Sequence, residues 1–205
     1  WAPESLRHLA NSTLKDLMHV ILQCHAHGID FREWNAGPNL DEHMRDEGFH
    51  VSVRFDASTG LIYGGNEHNC GTWMDKMGSS EKARNKGVPA TPRDGADIEI
   101  VTLLKSTLRF VNELDDFPRS VKLADGTNLL YKTWDETLAA SFNQLFWISE
   151  RGYYRDTVGA TRKHQDDQLR PNQCIGMVVA PELFPQDQAL RAMEVCQKHL
   201  VGPLG

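Results

Sequence analysis

The stretch from Gly64 to Gly78 (GGNEHNCGTWMDKMG) gathers glycines, amide side chains, one indole and one central carboxylate, with neither helical nor strand periodicity. Glycine lets backbone approach a ligand closely, and indole offers a flat apolar face with a single N–H donor. A carboxylate beside indole and thioether can have its pKa raised by desolvation. Those are the parts of a sugar site with a general acid. Asp75 is the acid candidate, Trp73 the stacking plate, and Asn69 and Lys76 polar neighbours. The residues alone leave other roles open: Asp75 as a turn cap, Trp73 as a core side chain, Lys76 as a solvated one.

Two more polar groups accompany that loop. Thr91-Pro92-Arg93-Asp94-Gly95 offers Arg93 as a donor to hydroxyls with Asp94 orienting it, although Asp94 reads equally as a helix N-cap. Asp166, Gln168, Arg170 and Asn172 lead into the apolar run Ile175–Ala180, as substrate contacts or as a capping network. Metal chemistry is not indicated. His25 and His27 diverge at i, i+2 on a helix, and His43, His50, His68 and His164 have no H-E-x-x-H spacing. No G-x-S-x-G elbow, Walker A loop or G-x-G-x-x-G follows a strand. No cofactor is implied.

The elements that hold these loops read mainly as helices. Leu14, Leu17, Met18, Ile21 and Leu22 predict an amphipathic helix from about Pro3 to His27, closed by Gly28. A second follows Asp94, with Ile100, Leu103, Leu104, Leu108 and Val111 on one face. A third opens on Thr133 and Glu136 as a capping box and carries Trp134, Leu138, Phe142 and Leu145. Ile175–Ala180 reads as a short buried helix stopped by Pro181, and Ala189, Met193, Cys196 and Leu200 mark the last one. Phe49, Val51, Val53 and Phe55 alternate as a strand, with a turn over Asp56–Gly60 and a return along Leu61–Tyr63, a small β-hairpin. Long irregular stretches at 34–39, 64–95 and 152–172 are left for the chemistry.

At 205 residues the chain has the length of one large domain. Its 40% apolar and 24% charged content is that of a soluble globular protein. A net charge of −6 argues against nucleic acid and leaves neutral sugars open. No apolar run approaches the roughly 20 residues of a membrane span. Cys24, Cys70, Cys174 and Cys196 lie far apart, which favours reduced thiols and a cytoplasmic location. Both ends look cut, so the whole of residues 1–205 is expected to be one segment of something longer.

Taken together, several runs resemble the eukaryotic glycogen debranching enzymes. They are Trp34-Asn35-Ala36-Gly37-Pro38, Asp46-Glu47-Gly48-Phe49, Tyr63-Gly64-Gly65-Asn66 and Asn69 through Gly78. The series continues with Gly87 through Gly95, Gln168-Leu169-Arg170-Pro171-Asn172 and Val178 through Phe184. The resemblance implies a segment of an (α/α)6 toroid carrying amylo-α-1,6-glucosidase activity, within a bifunctional chain that also carries a 4-α-glucanotransferase. It implies an inverting reaction, with Asp75 as acid and a Glu beyond Gly205 as base, the two about 6.5–9.5 Å apart to admit a water. It further implies Trp73, Asn69, Lys76, Arg93, Asp94 and Arg170 as glucose contacts, glycogen or limit dextrin as substrate, and the rest of the debranching chain as partner. Asp167 stands where an aromatic is expected, and the connection at Glu150–Arg151 is shorter than the family's usual one. Two other readings remain: a glycan-binding or structural segment without activity of its own, and an exo-glucosidase of the glucoamylase kind, which would not account for the long motif matches.

Overall fold

Thr13 opens the first helix of the computed structural model, which describes residues 12–37, 42–69, 71–74 and 76–203. Its hydroxyl accepts the Asp16 N–H (3.2 Å) while its own N–H donates to the Asp16 carboxylate (2.9 Å), a reciprocal box. Helix α1 therefore runs Leu14–His27 and ends on Gly28 at φ +95°. Of the helix expected from about Pro3 to His27, the described part begins at this cap, and residues 3–11 lie outside the described residues.

Strands β1 (Ile29–Arg32), β2 (His50–Asp56) and β3 (Leu61–Gly64) form an antiparallel sheet in that order. The expected hairpin is present as β2–β3, with Asp56 opposite Leu61. It is extended by β1, whose short run Ile29–Arg32 gave too little alternation to be read as a strand. At the turn, Gly60 (φ +73°) hands its carbonyl to the Trp134 indole N–H at 2.8 Å. A Cβ there would stand 2.8 Å from the backbone nitrogen of Leu138, so only glycine lets the hairpin tip meet the helix behind it.

That helix, α3, spans Tyr131–Phe146. The chain enters it from the hairpin β5 (Ser120–Lys122)–β6 (Asn128–Leu130). It begins two residues before Thr133, with Leu130 as a cap that makes no side-chain bond, so the expected Thr133/Glu136 box is not formed. Instead the Tyr131 N–H donates to the Arg119 carbonyl at 3.0 Å. Trp134, Leu138, Phe142 and Phe146 recur every four residues and are fully buried. Phe142 stacks on Phe146 and meets Phe184 edge-on, which centres the core on this stripe.

Helix α2 (Ile98–Glu113) packs on α3 and on α4 (Asn172–Val179) with a face unlike the expected one. Ile98, Val101, Leu108 and Val111 are buried, but so are Glu99, Thr102 and Lys105, while Ile100 and Leu103 are exposed. Ion pairs decide this rotation. Lys105 reaches Asp135 (2.8 Å) and Glu182 (3.3 Å), and Glu99 joins a buried cluster at the helix start. Helix α4 likewise buries Asn172, Gln173 and Gly176 and exposes Ile175 and Val178. The expected apolar burial there is replaced by close backbone approach, since a Cβ on Gly176 would meet Phe184 and Thr102 at about 3 Å. The last helix, α5 (Gln186–Leu200), buries Ala192 and Cys196 and leaves Met193 and Leu200 largely outside.

Three short pairings complete the frame. Strand β4 (Ala96–Asp97) lies antiparallel to β9 (Thr157–Val158), with Asp97 opposite Thr157. Strands β7 (Trp147–Ile148) and β8 (Tyr153–Tyr154) make a hairpin, and Glu150–Arg151 falls in its tight turn, where Gly152 takes φ +71°. Gly64 and Gly95 bridge β3 to β4 through two backbone bonds of 2.8 and 2.9 Å. Cys24, Cys174 and Cys196 are free thiols; Cys70 lies outside the described residues. No helix among the described residues is long and apolar enough to cross a membrane.

Candidate functional site

The β4–β9 pairing sets Arg93 against Asp156 and so builds a buried charge cluster beside the glycine-rich loop. Arg93 is 1% exposed and adopts φ +47°, a left-handed backbone that a non-glycine residue holds only when its surroundings enforce it. Its guanidinium grips both oxygens of Glu99, with Nη2 to Oε2 at 2.6 Å. From the other side Nε donates to Asp156 Oδ2 at 2.9 Å. Asp97 Oδ1 stands 3.5 Å from Nη2. Arg93 thus donates inward to carboxylates of its own chain, and the helix cap expected at Asp94 is absent. Helix α2 begins at Ile98 with Asp97 in the cap position.

Two loops hang on this cluster. On one side Trp73, 58% exposed, donates its indole N–H to Glu99 Oε1 at 2.9 Å. On the other, Asp156 accepts from Asn172 Nδ2 (2.8 Å) and pairs with Arg170 Nε (3.3 Å). Arg170 also donates to Gln168, and Asn172 Nδ2 approaches Met74 Sδ at 3.9 Å. Trp73, Arg93 and Arg170 are therefore brought together.

Asn69 and Asp94 meet at a neighbouring spot, where a Cβ on Gly65 would touch both at about 3.5 Å. The Asn69 amide closes its own loop, accepting from the Asn66 N–H (3.0 Å) and donating to the His50 carbonyl (3.3 Å). Asp94 is buried and accepts from Thr161 N–H at 2.9 Å and from its hydroxyl. Lys76 is exposed, and its carbonyl accepts from Ala90 N–H at 3.0 Å. Asp75 lies outside the described residues.

Burial pushes the Asp97 carboxyl up to about 8; the Arg93 charge opposes this, while Glu99, Asp156 and Asp94 add to it. The Asp156 carboxyl is raised for the same reason, burial outweighing Arg93, Asn172 and Arg170. For Arg93 burial acts downward, but the bonds from Glu99 and the charges of Asp97, Asp156 and Glu99 prevail and hold its pKa above the ordinary value. The site therefore keeps a proton on one carboxyl and charge on its arginine.

A cavity of about 470 Å³ opens beside the cluster. Its lining includes Gly71, Thr72 and Asp97, apolar residues of α1 and α2 such as Ile21 and Leu104, and Val53 and Ile62 of the sheet. Among the described residues no group of three or more His, Cys, Asp or Glu is placed to hold a metal.

Glu99, Asp97 and Asp156 were missed by the sequence reading. A usable signal existed: Asp97 and Glu99 interrupt the apolar run Ala96–Leu104, and Asp156 sits between Tyr153-Tyr154 and Thr157-Val158. Carboxylates inside apolar segments require partners.

The sequence profile of the amylo-alpha-1,6-glucosidase family matches residues 4–205. The chain belongs to this family. It is also 46% identical, over 95% of its length, to a protein of Saccharomyces cerevisiae (strain ATCC 204508 / S288c) named glycogen debranching enzyme. It spans 14% of that relative's length. Amylo-alpha-1,6-glucosidase membership thus covers the loop with Trp73, the Arg93 cluster and the Arg170 segment together.

Proposed function

We propose that the chain is the part of an amylo-α-1,6-glucosidase that supplies the catalytic acid, within a glycogen debranching enzyme that removes the single α-1,6-linked glucose at a branch point. The observation that carries this reading is the family match over residues 4–205, a span that includes the Gly64–Gly78 loop. Trp73 supports it, since its indole is more than half exposed while its N–H is engaged by Glu99. An exposed indole suits stacking on a pyranose ring.

In this reading Asp75 protonates the glycosidic oxygen, and a Glu beyond Gly205 activates a water on the opposite face of the ring, giving inversion. Trp73 stacks the glucose. Asn69, Lys76, Asp94 and Arg170 bind its hydroxyls, while Arg93 holds the loops that carry them. An acid needs its proton at neutral pH, and indole and thioether flanking Asp75 in sequence favour the protonated form. The helices are part of an (α/α)6 toroid completed by the rest of the parent chain, acting in the cytoplasm. The isolated segment binds glycan without hydrolysing it, for want of the second carboxylate.

The test is glucose release from phosphorylase limit dextrin by the full-length enzyme and by its Asp75→Asn variant. The variant should lose about 10²–10⁴-fold in rate, the usual contribution of a positioned general acid. A near-normal rate refutes the acid assignment. Full activity in the isolated segment refutes the missing base.

A further inference from the structure

We infer that Glu99 is a positioning residue that fixes the plane of the Trp73 indole for sugar binding. The inference rests on the proposed stacking of glucose on Trp73.

Trp73 lies on a loop without regular structure and is more than half exposed, so packing alone leaves its ring several orientations. A pyranose stacks only on a ring presented at one angle. Among the described residues the polar anchor for that ring is the 2.9 Å bond from Nε1 to Glu99 Oε1.

The anchor is rigid for three separate reasons. Glu99 is the second residue of α2, so its backbone is helical. It is buried at 1% exposure. Its two oxygens also face the Arg93 guanidinium, which allows one carboxylate plane. Arg93 is in turn held by Asp156. Oε1 therefore serves Arg93 and Trp73 at once, and the orientation of the indole is inherited from a buried ion pair. Thr72 reinforces it, with Oγ1 3.5 Å from Arg93 Nη1.

A merely structural Glu99 would neutralise Arg93 and leave substrate affinity alone. A positioning Glu99 acts on binding through the indole N–H. The two roles separate with Trp73→3-benzothienylalanine, a bicyclic isostere of tryptophan that lacks the N–H. Residue 73 is mostly exposed and Glu99 keeps Arg93, so this variant retains the fold.

KM and kcat for limit dextrin are measured in the full-length enzyme with this isostere, with Trp73→Ala and with Glu99→Gln, alone and combined with the isostere. An unanchored ring divides its population among orientations, and affinity falls by the competent fraction. The isostere should raise KM about 3- to 10-fold with kcat unchanged, the signature of lost uniform binding. Glu99→Gln should raise KM in the natural background and add nothing in the isostere background. If Glu99→Gln does not fold, the isostere alone decides. An isostere with wild-type KM, beside a Trp73→Ala enzyme with strongly raised KM, overturns the positioning role and leaves the stacking intact. A Trp73→Ala enzyme with wild-type KM overturns the stacking itself.

Discussion

Asp97→Asn isolates the electrostatic tension of the buried cluster. In the folded chain burial holds the Asp97 proton until about pH 8, whereas the unfolded chain releases it near 3.8. Between those values the folded state binds more protons than the unfolded one, so stability falls as pH rises. It is fully present below about pH 4, declines through the window and levels off above about pH 8. Each pH unit inside the window corresponds to about 1.4 kcal/mol, so the contribution from pH 5 to pH 7 is about 3 kcal/mol. Asparagine has the shape of the protonated acid and no titration. Asp97 Oδ1 has no hydrogen-bond partner among the described residues and stands 3.5 Å from Arg93 Nη2, an attraction the amide forfeits. The raised Asp156 carboxyl contributes a slope of the same sign to both proteins. Equilibrium urea unfolding of wild type and Asp97→Asn at pH 5, 6 and 7, followed by tryptophan emission, measures the difference between them directly. The advantage of the variant should grow by about 3 kcal/mol across this range. Parallel pH dependences refute the reasoning, as does an advantage that shrinks with rising pH.

Two other substitutions test how the frame is held. Gly60→Ala forces a methyl against the Leu138 backbone at positive φ and should cost about 1–3 kcal/mol, read as a lower urea midpoint. Thr13→Ala removes the α1 cap and should cost about 1 kcal/mol locally, read as faster hydrogen exchange at Asp16, without change at Trp134.

The parts of this fold legible in the sequence are those with a period. The Phe49–Phe55 alternation gave β2, and the four-residue spacing of Trp134, Leu138 and Phe142 gave the central helix. Composition alone marked the Gly64–Gly78 loop, and long motifs marked the family. Hidden from such reading were the features decided by distant partners. Helix α2 turns its Ile100 and Leu103 outward because Glu99 and Lys105 find counter-charges on Arg93, Asp135 and Glu182. Apolar spacing carries no information about those pairs. Arg93 read as a donor to a ligand because its own acceptors, Glu99 and Asp156, are assembled only by the meeting of β4 and β9.

The pairing of β4 with β9 also sets an order of events during folding. Arg93 and Asp156 are 63 positions apart, so their contact must wait for a loop of that size to close. The helices α2 and α3 and the β2–β3 hairpin rest on local contacts and can form first. The Arg93 ion cluster shares the requirement of loop closure with the core, since the bond from Trp134 to the Gly60 carbonyl spans 74 positions.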